Sequence, residues 1–231
     1  MRNENGQIVK SNTSVSILML THNAPRYVRK TLVSLKKHTK NVEYELIVLD
    51  NGSKRITKRL LEHYKKRGFI DKLVLSEENL LFAKGNNKAF QYAKDSDYIL
   101  LLNSDIKIKS DSWLKTLIDI QPENGGISAY GAAISEPVRA DGYCMLIERK
   151  LYEKYKLDEE FQWFWSVTKL ESKVLKEGKG IVAVKNHENY IHHYGGKSGK
   201  DFKNARGMDA DQQEIIKWFE GNSIQVLERL S

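Results

Sequence analysis

Three apolar runs of strand length, each ending in polar residues, constrain the fold of this chain more than any other feature of its sequence. They are VSILMLT at residues 15–21, YELIVLD at residues 44–50 and YILLLN at residues 98–103. A strand that is apolar throughout is typical of a sheet covered on both faces. Segments of helical length lie between the runs. The pattern therefore predicts an α/β fold with a mostly parallel central sheet and helices on both faces.

Helix and strand signals divide the rest of the chain. Pro25 suits the first turn of a helix, and Val28, Leu32 and Leu35 then share one face. The remaining predicted elements are a basic helix at 56–67, a strand KLVLS at 72–76, a loop EENLLFAKGNN at 77–87, a helix at 87–94, a strand at 143–147, a helix entered through an aromatic run at 161 and ending at Gly178, a strand GIVAV at 180–184 and a C-terminal helix at 208–219. No internal repeat or Pro/Gly-rich linker is present, so we expect a single domain.

The polar strand endings are expected to converge. The carboxyl ends of parallel strands lie at one edge of a sheet, which we call the rim, and ligands bind there. Asp105 offers a hard oxygen ligand for Mg²⁺ or Mn²⁺, ions that complete their shells with water and substrate phosphates. Asn103 can bond to a phosphate or a sugar, and Asp50 can accept from a nucleobase or a ribose hydroxyl. A turn-capping role for Asp105 is the alternative.

The segment Lys84-Gly85-Asn86-Asn87 is a second polar feature. We interpret it as a loop before a helix, a place where anions are well tolerated. It therefore joins the candidate residues of the rim.

Charge and cysteine content narrow the possible surroundings. The net charge of +8 is clustered at residues 36–37, 54–59 and 65–67. Such clusters are either solvated helix faces or surfaces that attract an anionic substrate or an anionic membrane. Nucleic acid is not expected as a partner, because no nucleic-acid-binding signature accompanies the charge. No apolar run approaches the ~20 residues of a membrane span, the N-terminal residues lack an apolar signal core, and Cys144 is the only cysteine. We expect a cytoplasmic location, with peripheral contact at the inner face of the membrane.

An ordered set of motifs resembles the family 2 glycosyltransferases, which have the Rossmann-like GT-A fold. The set is SILMLTHNAPRYVRKTLVSL, ELIVLDNGS, NLLFAKGNN, YILLLNSDIKI, DGYCMLIERKLYEK, LDEEF and HHYGGKS, and it covers most of residues 14 to 200. No single motif is specific, but the ordered set is. We accordingly divide the chain into a polar tail at 1–13, a GT-A domain at 14–205 and a C-terminal helical extension at 206–231. Within the domain, residues 14–109 are the expected nucleotide-sugar-binding half and residues 110–205 the acceptor-side half.

The resemblance implies transfer of a sugar, with inversion, from a UDP- or dTDP-linked donor to the hydroxyl of a glycan or lipid-linked acceptor, in the synthesis of a surface polysaccharide or glycolipid. Asn103-Ser104-Asp105 replaces the family's DXD motif, an NSD variant common in rhamnosyltransferase-like members. Asp105 is therefore the expected ligand of Mn²⁺ or Mg²⁺. His192 or His193 matches a histidine that completes the metal shell in some members, and we choose His193. The residues expected to hold the donor are Thr21, Asn23, Asp50, Asn79, Lys84, Gly85, Asn86, Asn87, Asn103 and Gly142.

The general base is the point at which this sequence departs most from the family. An inverting transfer needs a base for the proton of the acceptor hydroxyl, and members usually carry it in a Glu-Asp-x-Asp cluster. Residues 166–169 of this chain are Ser-Val-Thr-Lys. The expected catalytic substitutes are Glu171 and Asp158. The alternatives are a partner chain that supplies the base, or a catalytically silent nucleotide-sugar-binding module within a larger assembly. Residues 163–165, Trp-Phe-Trp, either stack on an acceptor sugar or join the core.

Overall fold

The computed structural model describes residues 13–197, 207 and 209–229. These residues form twelve strands and seven helices. The strands are β1 Ser14–Thr21, β2 Glu43–Asn51, β3 Lys72–Ser76, β4 Tyr98–Asn103, β5 Ile106–Ile108, β6 Gly126–Tyr130, β7 Ala132–Ala133, β8 Arg139–Ala140, β9 Cys144–Glu148, β10 Gly180–Val184, β11 Ile191–His193 and β12 Gln225–Leu227. The helices are α1 Pro25–His38, α2 Arg55–Lys66, α3 Leu81–Phe90, α4 Trp113–Asp119, α5 Arg149–Tyr155, α6 Phe164–Lys176 and α7 Gln212–Phe219.

The central sheet has eight strands in the order β12-β10-β6-β9-β4-β1-β2-β3. Only β9 runs against its neighbours β4 and β6, while the other pairs are parallel. The register places Thr21 beside Asp50 and Leu20 beside Asn103. The polar ends of β1, β2 and β4 therefore meet at one rim, and the predicted mostly parallel sheet is confirmed.

The central strands of the sheet contribute to two apolar layers, because successive side chains point to opposite faces. Ile17 and Met19 of β1 pack into the layer covered by α1, α2 and α4. Leu18 between them packs into the layer covered by α3, α5, α6 and α7. All three side chains are fully buried. This two-sided burial explains why the strands are apolar throughout and confirms helices on both faces.

Helix α3 begins earlier than the sequence indicates, so the interpretation of residues 84–87 as a loop is wrong. The helix starts at Leu81, and residues 84–87 lie inside it. The Gln162 Oε1 atom accepts the backbone N–H of Phe82 at 3.1 Å and lies 3.4 Å from that of Ala83. Two of the N-terminal N–H groups, which a helix leaves without internal partners, are thus satisfied from a distant part of the chain.

The C-terminal segment is part of the sheet as well as helical. Helix α7 packs against α6 in the apolar layer, and β12 pairs with β10 at the edge of the sheet. The predicted helix start at Met208, the boundary at 205–206 and residues 1–12 lie outside the described residues. Among the described residues, no helix is both long enough and apolar enough to cross a bilayer.

Candidate active site

Helix α1 fixes the position of the Asn103-Ser104-Asp105 turn. The Thr31 hydroxyl of α1 accepts the backbone N–H of Ile106 at 3.0 Å and lies within 2.8 Å of the carbonyl oxygens of Ser104 and Ile106. One turn on, Ser34 Oγ accepts the N–H of Ile108 at 3.1 Å. These two hydroxyls bond to β5 where a neighbouring strand would otherwise do so. The backbone that carries the Asp105 carboxylate is therefore fixed by hydrogen bonds to α1.

Strand β11 brings a histidine to Asp105. His193 pairs with Ile106 across the β5–β11 ribbon. Its Nε2 lies 3.2 Å from Asp105 Oδ1 and 3.4 Å from the Asn103 amide nitrogen. His192 is exposed and contacts Tyr194 on the other side of the ribbon. The alternation of a strand thus separates the two histidines, and His193 is the one that faces Asp105.

Tyr143 forms the wall behind this histidine. Its ring stacks on His193 with centroids 4.2 Å apart, and its carbonyl accepts the N–H of Asn103 at 2.8 Å. Its hydroxyl donates to His187 Nε2 at 2.8 Å, and burial raises its pKa above the usual value. The preceding Gly142 packs on α6, where a Cβ would lie 2.5 Å from Val167 Cγ2.

Asp141 is the acid that the sequence interpretation missed. It is half-buried directly before Gly142. Burial raises the pKa of its carboxyl, and electrostatic interactions with His193, His187 and Arg139 oppose that effect. The only available signal was its position in the motif DGYCMLIERKLYEK. The Asp141 carboxyl is therefore close enough to His193 to interact with it electrostatically.

The Asp105 and His193 side chains fit a divalent cation as part of its coordination shell. A carboxylate and an imidazole nitrogen are both ligands of Mn²⁺, and cations of this class are commonly held by one or two protein groups together with phosphates and water. No group of three or more His, Cys, Asp or Glu suited to a metal occurs in the described part of the chain. An ion here would therefore depend on phosphate oxygens of a substrate.

The β1 and β2 ends of the rim form a network of hydrogen bonds. Asp50 is fully buried, and its carboxylate accepts the N–H of Ser53 at 3.1 Å and lies 3.4 Å from the Thr21 hydroxyl. Asn23 Oδ1 accepts the N–H of Lys54 at 2.9 Å. Thr21 is also fully buried. In this structure Thr21 and Asp50 therefore hold the turn after β2 and expose no surface to a nucleotide.

The predicted donor residues on and before α3 are placed apart from one another. Asn79 Oδ1 accepts the N–H of Leu81 at 2.9 Å, which supports the left-handed φ of 60° at Leu81. Asn86 donates to the carbonyl of Phe82, and Asn87 donates to that of Leu157. A Cβ at Gly85 would lie 2.6 Å from Leu20 Cδ1, so this glycine allows α3 to approach β1 closely. Lys84 alone is exposed. Asn86 and Asn87 thus serve the packing of α3.

A narrow cleft opens between these groups at the rim. It is lined by Leu20, His22, Asn51, Asn79, Leu81, Phe82, Asn103, Ser104 and Trp163. Of the predicted residues, Asn79 and Asn103 line it together. Asn51, which the sequence interpretation left out, accepts the N–H of Leu80 at 2.6 Å and donates to the carbonyl of Leu81 at 3.1 Å. Trp163 is the member of the aromatic run that reaches the cleft.

Neither the two predicted catalytic acids nor Asp141 is among the described residues that line the cleft. Glu171 is fully buried on α6, where its Oε1 accepts the N–H of Ala140 at 2.9 Å and burial raises its pKa well above the usual range. It therefore does not face an acceptor in this structure. Asp158 accepts the N–H of Glu160 at 3.1 Å and lies with Lys84 in a separate shallow groove. At the usual base positions, Val167 is buried and the Lys169 ammonium lies 4.0 Å from the Trp218 ring centroid.

A curated relative shares part of this chain. The rhamnosyltransferase WbbL of Escherichia coli (strain K12) is 33% identical over 106 residues, which are 43% of this chain and 38% of WbbL. The chain thus aligns with less than half the length of this relative.

Solved structures share the fold at low sequence identity. Mannosyltransferase PcManGT from Pyrobaculum calidifontis, in complex with GDP-Man and Mn²⁺, superposes with a TM-score of 0.67 at 13% identity, covering 77% of this chain and 56% of PcManGT. S. aureus TarS 1-349 superposes with a TM-score of 0.62 at 16% identity, covering 90% of this chain and 71% of that one. The family model described as Glycosyl transferase family 2 matches residues 16–168, more than half of the chain. The chain therefore belongs to glycosyltransferase family 2 and has the GT-A fold.

Proposed function

We propose that the chain transfers a sugar, with inversion, from a nucleoside-diphosphate sugar to the hydroxyl of a glycan or lipid-linked acceptor, in the synthesis of a cell-surface polysaccharide or glycolipid. The observation that carries the proposal is the meeting of Asn103, Asp105 and His193 at the carboxyl end of β4, beside the cleft lined by Trp163. Membership of family 2 and the named activity of WbbL support transferase chemistry. A cytoplasmic location remains a prediction.

The donor would lie along the rim with its diphosphate toward Asp105. Asp105 and His193 would hold the cation, and a divalent ion there offsets the phosphate charge and stabilises the leaving nucleotide. The amides of Asn79 and Asn103 can bond to phosphate or sugar oxygens. Thr21 and Asp50 would support the donor site indirectly, because they are fully buried and fix the turn after β2. Trp163 supplies an apolar face for a sugar ring.

Asp141 is the acid that we assign as the general base in place of Glu171 and Asp158. It is half-buried and interacts electrostatically with His193, whereas Glu171 has no exposed surface. A raised pKa strengthens a carboxylate as a base, and the pKa of Asp141 is raised by burial. Asp141→Asn is therefore expected to lower kcat while leaving the Kd of the nucleotide sugar unchanged. An equal kcat in that variant would contradict the assignment.

The second candidate is a catalytically silent nucleotide-sugar-binding module. The observation that favours it is the apolar contact between Val167 and Gly142, at the place where the family usually carries its acidic cluster. Such a module would bind the donor and release no nucleoside diphosphate. The two candidates therefore differ in turnover and agree in binding.

The test combines donor binding with turnover. The full chain is screened by thermal shift with UDP-, dTDP- and GDP-sugars, with and without Mn²⁺, and release of nucleoside diphosphate is then followed with glycan and lipid-linked acceptors. Ligand at a hundred times its Kd should stabilise the fold by about 2.7 kcal/mol. Asp105→Asn should remove the Mn²⁺-dependent part of this stabilisation. The matched variant is Asp111→Asn, at an exposed ion pair with Lys40, and it should keep that part. Donor binding without any release would favour the silent module, and no stabilisation by any donor would refute both candidates.

A further inference from the structure

The positive charge of this protein is concentrated on two neighbouring helices. Helix α1 carries five Lys and Arg residues and no acid, and α2 carries five and one acid, Glu62. Their net charge is therefore +9, against +8 for the whole chain. Both helices cover the same face of the sheet. The rest of the molecule is close to neutral, so the net charge of the chain is carried by these two helices.

A groove runs along the exposed side of α1, and we call it the α1 groove. Its cations are Arg26, Arg29, Lys30 and Lys37 of α1 and Lys107 of β5. The four on α1 recur at intervals of three, one and seven residues, and so share one side of the helix. None of the described residues that line the groove is an Asp or a Glu. Within the described ranges, no carboxylate forms an ion pair with any of these five cations. Their charges are left to solvent or to an anionic partner.

An apolar side chain stands among these cations. Val33 is 44% exposed on the same side of α1. Tyr194 lines the groove as well, and the Lys30 ammonium lies 4.7 Å from its ring centroid. The cationic stripe from Arg26 to Lys37 is about 16 Å long at the helical rise per residue. That length exceeds a single phosphate group and suits several headgroups in a plane. Cations around an exposed aliphatic residue are typical of helices that lie on membrane surfaces.

We propose that the α1 groove docks on the anionic lipid headgroups of a membrane surface. Each Lys or Arg near such a surface contributes to binding, and the contribution is screened by salt. Val33 supplies the apolar contact between the cations, which a nucleic-acid backbone would not need. The proposal goes beyond the proposed transferase activity and does not depend on it.

The α1 groove lies close to the candidate active site, so a membrane docked there would have a defined position relative to the rim. Tyr194 donates its backbone N–H to the carbonyl oxygen of Asp105 at 3.0 Å. The residues that line the groove are therefore continuous with the Asp105–His193 site through β5 and β11. A membrane bound in the groove would lie next to the rim.

The experiment is co-sedimentation of the full chain with vesicles of phosphatidylcholine, with and without phosphatidylglycerol, over a range of salt concentrations. The test variant is Arg26→Gln/Arg29→Gln/Lys37→Gln. The matched control is Lys150→Gln/Lys176→Gln/Lys217→Gln, which removes the same charge from exposed residues of α5, α6 and α7 on the opposite face. At the usual contribution of each cation near an anionic surface, the test variant should bind roughly a hundredfold more weakly. The control should stay within roughly threefold of the wild type.

Several results would overturn the docking proposal. One is equal loss in the two triple variants, which would mean attraction by net charge alone. A second is equal binding to neutral and anionic vesicles. A third is displacement of the vesicles by free glycerol phosphate, which would indicate a site for a single phosphate. A fourth is tighter binding to duplex DNA than to vesicles at the same salt concentration. An unchanged thermal shift with nucleotide sugar in the test variant shows that the variant folds and that the two sites are separate. Vesicle binding by a chain that binds no donor would refute the transferase proposal alone.

Discussion

The substitution Thr31→Val tests whether α1 holds the Asp105 turn. The Thr31 side chain is fully buried, and its hydroxyl is the acceptor for the N–H of Ile106, itself buried next to Asp105. The same hydroxyl donates to a carbonyl oxygen of Ser104 or Ile106. Valine keeps the shape of threonine and removes both bonds, so the change isolates the hydrogen bonding from the packing.

The magnitude follows from the groups left without partners. A buried N–H that loses its acceptor costs about 1–3 kcal/mol, and a carbonyl that loses one of two donors costs less. We therefore expect Thr31→Val to lower the free energy of unfolding by about 2 kcal/mol. Because the affected backbone carries Asp105, the Mn²⁺-dependent stabilisation by nucleotide sugar should fall as well.

Thr168→Val provides the matched control. Thr168 is also buried on a helix, and its hydroxyl donates to the carbonyl of Phe164 four residues earlier. Its loss leaves no backbone N–H without an acceptor, so we expect a cost below about 0.5 kcal/mol. Urea unfolding at constant m-value measures both variants. Equal unfolding free energies for the two valine variants would refute the argument that the Thr31 hydroxyl replaces a strand partner for β5.

Two further predictions concern positions outside the metal site. Burial raises the folded-state pKa of Glu171 well above its ordinary value of 4.5; its contribution to stability is therefore full below that value and is lost as pH rises through the folded pKa. Glu171→Gln keeps an oxygen for the Ala140 N–H. Its free energy of unfolding in urea should therefore equal that of the wild type in acid and exceed it at neutral pH. A difference in unfolding free energy that stays constant across pH would contradict this. Gly52→Ala should lower the unfolding free energy by more than about 1 kcal/mol, because φ is 70° and the new Cβ would lie 2.7 Å from the backbone carbon of Glu78. Gly68→Ala, at φ 69° with open space around it, should cost less in the same assay, and equal costs would show that the collision contributes nothing.

The sheet and its rim were predictable because each depends on local patterns. Runs such as YILLLN are buried on both faces, and that burial requires helices on each side of the sheet. The start of α3 was not predictable, since it depends on Gln162, which lies 80 residues away from Phe82 in sequence. The left-handed Leu81 depends partly on a tertiary contact, because Asn51 donates to its carbonyl from 30 residues away, and partly on the local bond from its N–H to Asn79 Oδ1.

Helical spacing alone did not place Glu171 correctly. The residue lies four positions after Val167 and shares its side of α6. Because Val167 packs against Gly142 in the core, the same spacing buries Glu171. The sequence does not show which side of α6 faces the acceptor, and that orientation decides between a base and a buried acid. The question of which histidine faces Asp105 differs, because strand alternation places His193 on that side once β11 is known to pair with β5.

The buried contacts of α6 bear directly on which acid serves the site. Glu171 holds the N–H of Ala140 from behind, and Val167 closes on Gly142. On the other side, the Tyr143 carbonyl is fixed by the N–H of Asn103 and its hydroxyl donates to His187. The segment that carries Asp141 is thus held at both ends, and its half-buried carboxyl interacts electrostatically with His193. An acid held in this way loses little further freedom when an acceptor binds, which supports Asp141 as the base. If Asp141→Asn proved equal in kcat to the wild type, the fixed segment at 140–143 would carry no base, and the assignment of Asp141 would be wrong.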